Sequence, residues 1–183
     1  MKKIQFKTIS KTKIADTITP VGLYLRFRDK YANTLLLESS DYHSKDESFT
    51  FIAIDPVVSI KAENHHLIFS HKEVELENKE IGRDFNSIFE NYSQAIDLDC
   101  PTELKSFNGL YGYTTYDSVQ YFENIELNVA EAPSAIPLLQ YSFYRFIIAI
   151  NHFNDEMTLI ENIEEGTESR IKEIQTIIDA QTF

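Results

Sequence analysis

Leu138 to Asn151 is the longest stretch of strand-forming residues in the chain, dominated by Tyr, Phe, Ile and Leu and free of glycine and proline. Aromatic and β-branched side chains pack well on a pleated surface, so this composition predicts a long strand. Asn154-Asp155-Glu156 supplies turn chemistry, and Met157 to Glu161 resumes the apolar pattern. The pair predicts a β-hairpin. Such a hairpin commits the chain to a sheet whose apolar faces have to be covered.

Three segments have the helical spacing needed to cover them. Thr19-Pro20 pairs an N-cap residue with proline at the first helical position, and the spacing of Val21, Tyr24, Leu25 and Arg28 predicts a helix to about Tyr31. Phe85, Ile88, Phe89, Tyr92 and Ile96 recur on one helical face, with Pro101 ending the segment. Gly166 to Ala180 places Ile171, Ile174, Ile177 and Ile178 on one side of a closing helix.

Further strand signals lie between these. Leu35-Leu36-Leu37 reads as a buried strand leading into a polar loop. Phe49 to Ile54 and Val57 to Ala62 read as two strands joined at a corner by Asp55-Pro56. Leu67-Ile68-Phe69 and the charged segment around Val74 and Leu76 extend them into a meander with an edge strand. Phe107 to Tyr116 reads as a glycine-containing strand, Tyr116 to Glu123 as a short helix, and Ala130 to Pro137 as an irregular connection. Strands and helices interspersed without regular βαβ alternation predict an α+β fold, a mainly antiparallel β-sheet with several packed helices. At 183 residues the chain is expected to be one domain, 1–183.

Charge and cysteine usage narrow the function. A formal net charge of −12 argues against tracking of phosphates, so neither nucleic acid nor an anionic membrane is an expected partner. Cys100 is the single cysteine, which points to a reducing compartment, and no run is apolar enough for a signal peptide or a membrane span. The expected location is the cytoplasm. Asn91-Tyr92-Ser93 matches a glycosylation sequon that has no meaning there.

No catalytic constellation emerges. Gly109-Leu110-Tyr111-Gly112 lacks the spacing and the lysine of a phosphate cradle and reads as a strand that bends or meets another backbone closely. His65-His66 are adjacent at a turn, so they do not converge on a metal, and His71 stands apart. His152 ends the apolar strand beside Asn151, a place for a residue bonding a turn. Cys100 is surrounded by Asp97, Asp99 and Glu103, which disfavour its thiolate, so it reads as structural.

Leu37-Glu38-Ser39-Ser40, at the end of the expected Leu35 strand, remains. Glu38 suits an ammonium and the serine hydroxyls suit either end of a zwitterion. On the residues alone, serines satisfying local backbone groups at a strand end are the favoured reading. Leu35 to Ser40, Phe49 to Pro56, Gly109 to Asp117 and Tyr144-Arg145 together give the chain its likeness. It resembles the chorismate-utilising enzymes, and within them the anthranilate synthase component I family. The resemblance implies the N-terminal portion of that fold, with a feedback site for L-tryptophan lined by Leu37, Glu38, Ser39 and Ser40. It implies that the chorismate and Mg2+ sites, with the catalytic residues, lie in a C-terminal half outside this chain, so no catalytic residue and no cofactor are expected here. It implies as partners that catalytic half and a glutamine amidotransferase subunit. A truncated chain is the simpler expectation, since the closing helix reaches Phe183 with no linker. The chain departs from the family at Asn108-Gly109, where members often have two glycines, and nothing is carried over to the loop from Tyr42 to Glu47. The Gly-Tyr segment is shared with aminodeoxychorismate synthase, and a scaffold without a ligand is the remaining alternative.

Overall fold

The computed structural model describes residues 2–38, 48–82, 84–123, 125 and 136–180. The elements in chain order are β1 (Ile4–Ile14), α1 (Pro20–Arg28), β2 (Leu35–Glu38), β3 (Phe49–Glu63), β4 (His66–His71), β5 (Val74–Glu80), α2 (Phe85–Ser93), β6 (Ile96–Asp99), β7 (Leu110–Thr114), α3 (Val119–Phe122), β8 (Leu139–Asn151), β9 (Glu156–Glu164) and α4 (Ile171–Asp179). The fold is α+β, as the segment order predicts. The chain divides into two compact units. A meander unit holds Met1–Ile4, Val57–Asp97 and Leu110–Phe143, and a hairpin unit holds Gln5–Pro56, Leu98–Gly109 and Tyr144–Phe183.

In the hairpin unit, β8 and β9 pair antiparallel from Phe146↔Glu161 to Asn151↔Glu156. Their turn is built by its own side chains. Asn151 Oδ1 accepts the Phe153 N–H at 2.8 Å, Asn154 Oδ1 accepts the Glu156 N–H at 3.1 Å, and Asp155 takes a left-handed φ of 52°. On the other side of β9 lies β1, in register from Phe6↔Glu164 to Ile14↔Glu156. This strand is absent from the sequence reading because Lys7, Lys11 and Lys13 dilute its apolar content, and only Phe6 and Thr8 are buried.

Because side chains alternate across a strand, Phe146, Ile148 and Ile150 of β8 face the same way as Met157 and Leu159 of β9. Leu23 and Phe27 from α1, and Ile171, Ile174, Ile177 and Ile178 from α4, close over that face with Ile52 and Ile54 from β3. Each such side chain fully buried contributes about 1.5–3 kcal/mol. Expected from Gly166, α4 begins at Ile171, because the preceding residues bond to β9 instead: the Glu161 carboxylate accepts the Ser169 hydroxyl at 2.6 Å and the Arg170 N–H at 2.8 Å.

In the meander unit, β3, β4 and β5 follow one another antiparallel. Two-residue turns join them, with Asn64 and His65 at φ 49° and 60°, and Lys72 and Glu73 at 49° and 65°. Paired left-handed residues match the right-handed twist of a hairpin. The two strands expected around Asp55-Pro56 are one 15-residue strand, since Asp55 absorbs the irregularity at φ 62°. Phe85, Ile88 and Tyr92 of α2 are buried, but the helix ends at Ser93 and Ile96 belongs to β6 rather than to its apolar face.

β7 pairs with β8 from Leu110↔Phe143 to Thr114↔Leu139. A Cβ on Gly112 would lie 1.9 Å from the Gln140 carbonyl oxygen, so here the glycine is required by close backbone approach, as expected. Gly109 has open space where its Cβ would be. The helix expected from Tyr116 is present as a 310 turn (Tyr116–Ser118) running into α3. Among the described residues no helix is long and apolar enough to cross a membrane.

Candidate functional site

The zwitterion site expected at Leu37, Glu38, Ser39 and Ser40 lies in the hairpin unit, where Leu37 and Glu38 end β2. Ser39 and Ser40 lie outside the described residues. The strand is not buried as expected. It is four residues long and pairs with β3, leaving Leu35 and Leu36 half-buried, Leu37 40% exposed and Glu38 exposed. An exposed terminus is what a ligand contact needs.

Register decides what each side chain can reach. Leu37 stands opposite Phe51 and Glu38 opposite Thr50. Opposed residues share a face and successive residues do not, so Leu37 and Glu38 look to opposite sides of the sheet. On the Leu37 side, Phe51 packs with Phe49 at 5.9 Å between ring centroids, and Phe107 lies 5.2 Å from Phe49 and 6.1 Å from Phe51. Phe107, expected to open a strand to Tyr116, instead ends a 310 turn, Thr102–Phe107, and the strand is confined to Leu110–Thr114. Asn108 follows it, and its side-chain amide donates to Asn162 Oδ1 at 2.8 Å and to Thr8 Oγ1 at 3.1 Å, holding the segment to β9 and β1.

On the Glu38 side, Thr50 is fully buried, and its hydroxyl shares a 2.7 Å hydrogen bond with His152 Nε2. The His152 backbone N–H donates to the Ser48 carbonyl at 3.0 Å. The sequence placed His152 as a turn-bonding residue. The turn is instead held by Asn151 and Asn154, which leaves the imidazole to reach Thr50. The end of β2 thus offers an apolar, aromatic surface on one face and a carboxylate, with a hydroxyl and an imidazole, on the other. The two faces point away from each other, so a single small ligand reaches both side chains only around the edge of β2.

Two further polar clusters lie in the same unit. Glu161 is fully buried and accepts Arg145 Nε at 3.0 Å and Nη2 at 2.9 Å, besides Ser169 and Arg170. Tyr144-Arg145, which carries part of the likeness, therefore supplies the partner of a buried charge. At the surface, Arg170 bonds Glu173 and Asp55, and Tyr31 donates to Glu173. Arg170 and Tyr31 hold the Glu173 carboxyl down at about 2, while burial and the bond to Glu173 push the Tyr31 phenol up to about 12. Cys100 accepts a long contact from the Asn108 amide at 3.7 Å. His65 and His66 sit at a turn, with His66 Nδ1 2.9 Å from the Asn64 carbonyl. Among the described residues no group of three or more His, Cys, Asp or Glu is placed to hold a metal ion.

No protein-family model matches the chain. Curated relatives do. Anthranilate synthase component 1 of Lactococcus lactis is 26% identical over 166 residues, 91% of this chain and 34% of the relative. That of Pseudomonas putida is 29% identical over 126 residues, 68% of this chain and 24% of the relative. That of Methanothermobacter thermautotrophicus is 23% identical over 163 residues, 89% and 32%. The chain resembles anthranilate synthase component I. Its fold agrees, since the crystal structure of that component from Streptococcus pneumoniae TIGR4 matches with a TM-score of 0.52 at 20% identity, over 91% of this chain and 35% of that one. The chain spans between about a quarter and about a third of the length of these relatives.

Proposed function

We propose that this chain is the N-terminal domain of an anthranilate synthase component I, and that the end of β2 is part of its feedback site for L-tryptophan. The observation that carries the first statement is the likeness over 91% of the chain to a third of a relative named for that enzyme. The second rests on the resemblance at Leu37, Glu38, Ser39 and Ser40, and is supported by the exposure of Leu37 and Glu38 at the end of β2. In this reading Leu37 meets the indole, and Glu38, with Ser39 and Ser40, takes the amino-acid end.

The enzyme converts chorismate and glutamine-derived ammonia to anthranilate in the cytoplasm. The catalytic half, with Mg2+, and a glutamine amidotransferase subunit are the partners of this chain. When bound, Mg2+ supplies Lewis-acid chemistry in that other half. The residues here bind and orient the inhibitor, and the chain alone turns over no chorismate and binds tryptophan weakly. Tryptophan acts by favouring a conformation of the assembled enzyme with poorer turnover, a coupling between separate sites.

The test is anthranilate formation by the assembled enzyme containing this chain, with chorismate and ammonium and increasing L-tryptophan. Glu38→Ala and Ser39→Ala should each raise the half-inhibiting concentration about 10-fold or more, the scale of a charge-assisted hydrogen bond. Unchanged inhibition in both sinks the site assignment, and a product other than anthranilate sinks the enzyme assignment.

A further inference from the structure

His152 reaches β3 through Thr50, opposite Glu38, and neither the family motif nor the likeness to known enzymes marks it. We infer that His152 is a positioning residue for the inhibitor site: through Thr50 it fixes the strand end that sets where Glu38 stands. The inference rests on the tryptophan reading above.

Three observations converge on it. His152 binds the start of β3 twice, its backbone N–H to Ser48 and its Nε2 to the Thr50 hydroxyl at 2.7 Å. Thr50 is the cross-strand partner of Glu38, and such partners sit about 4.5–5.5 Å apart at Cβ on one face. The imidazole is itself pre-set, because Asn151 and Asn154 bond the backbone of its turn and the Ala15 N–H donates to the Asp155 carbonyl at 2.7 Å. A buried hydroxyl with a single side-chain partner is also costly to orphan. His152 is exposed, so its replacement leaves the core untouched.

The assembled enzyme is assayed as above with His152→Phe, His152→Gln, Thr50→Val and, in parallel, Glu38→Ala. The expected result is a half-inhibiting tryptophan concentration raised about 3–10-fold by His152→Phe, the scale of one lost hydrogen bond. Chorismate KM and uninhibited kcat should stay at parental values, and His152→Gln, whose amide can still reach the hydroxyl, should return most of the loss. Thr50→Val should match His152→Phe, and the double variant should add nothing further. Parental inhibition in His152→Phe while Glu38→Ala relieves it overturns this inference alone. Parental inhibition in His152→Phe, Glu38→Ala and Ser39→Ala alike overturns the tryptophan reading and this inference with it. An equal loss of uninhibited activity in His152→Phe, not recovered by His152→Gln, overturns the positioning role in favour of a general structural one.

Discussion

Replacing Arg145 with alanine should be among the most damaging single changes in the hairpin unit, although Arg145 lies in a strand and touches no predicted site residue. The reason is its partner. Glu161 has no solvent exposure and receives two of its four hydrogen bonds from the Arg145 guanidinium, at 2.9 and 3.0 Å. Arg145→Ala leaves a buried carboxylate with one hydroxyl and one backbone N–H and no balancing charge, and breaking a buried pair in this way costs about 3–5 kcal/mol. An exposed pair such as Lys79–Glu77, at 3.3 Å with side chains 50% and 31% exposed, is worth about 0–1 kcal/mol. For a chain of this size about 2–4 °C of Tm follows each kcal/mol, so Arg145→Ala should lower Tm by roughly 6–20 °C. Thermal unfolding by circular dichroism measures it, with urea unfolding as a check that the midpoint moves and the slope does not. The loss should persist in 1 M salt, roughly tenfold above the ionic strength at which surface pairs begin to be screened. Arg145→Met with Glu161→Leu should recover most of it, because removing both charges removes the uncompensated one. A loss below about 1 kcal/mol for Arg145→Ala would refute the reasoning.

Other expectations follow from single positions. Gly112→Ala should destabilise β7 by about 2 kcal/mol or more, and Gly109→Ala should stay within roughly 1 kcal/mol, because only the first puts a methyl against backbone. Amide exchange along β7 would distinguish them. The Tyr31 phenol should resist ionisation up to about 12, and Glu173→Gln should bring it back toward the ordinary 10.0, read from tyrosine ring NMR shifts against pH. A raised pKa means that Tyr31's contribution to stability is complete below 10.0 and is lost as pH rises through about 12. Glu173 runs the other way: its pKa falls from 4.5 to about 2, so its contribution is present above 4.5 and lost as pH falls through about 2. Leu37→Ser should change Tm by less than about 2 °C while weakening tryptophan inhibition, since the side chain is 40% exposed.

Much of the fold was legible because its signals are local. Asn154-Asp155 between two apolar runs announces the β8–β9 hairpin, Thr19-Pro20 starts α1 within a residue of its place, and the four isoleucines of α4 mark its buried face. β1 was not legible, because a strand with three lysines owes its place to β9 rather than to its own pattern. The 310 turn before Asn108 is likewise held by distant partners, Thr8 and Asn162. Ile96 has the right phase for α2, yet pairing as β6 claims it, which periodicity has no means to register.

For the candidate site, the sequence by itself determined which residue types end β2: a leucine, a carboxylate and hydroxyls, enough to raise an amino-acid ligand. Only the tertiary structure decided that Leu37 and Glu38 look to opposite faces, that Phe107 arrives beside Phe51 from 56 positions away, and that His152 holds Thr50. The physical reason is register. Residue type sets what a side chain can bond, but cross-strand pairing sets which side chains stand together, and that pairing depends on turns and packing far from the residues it aligns.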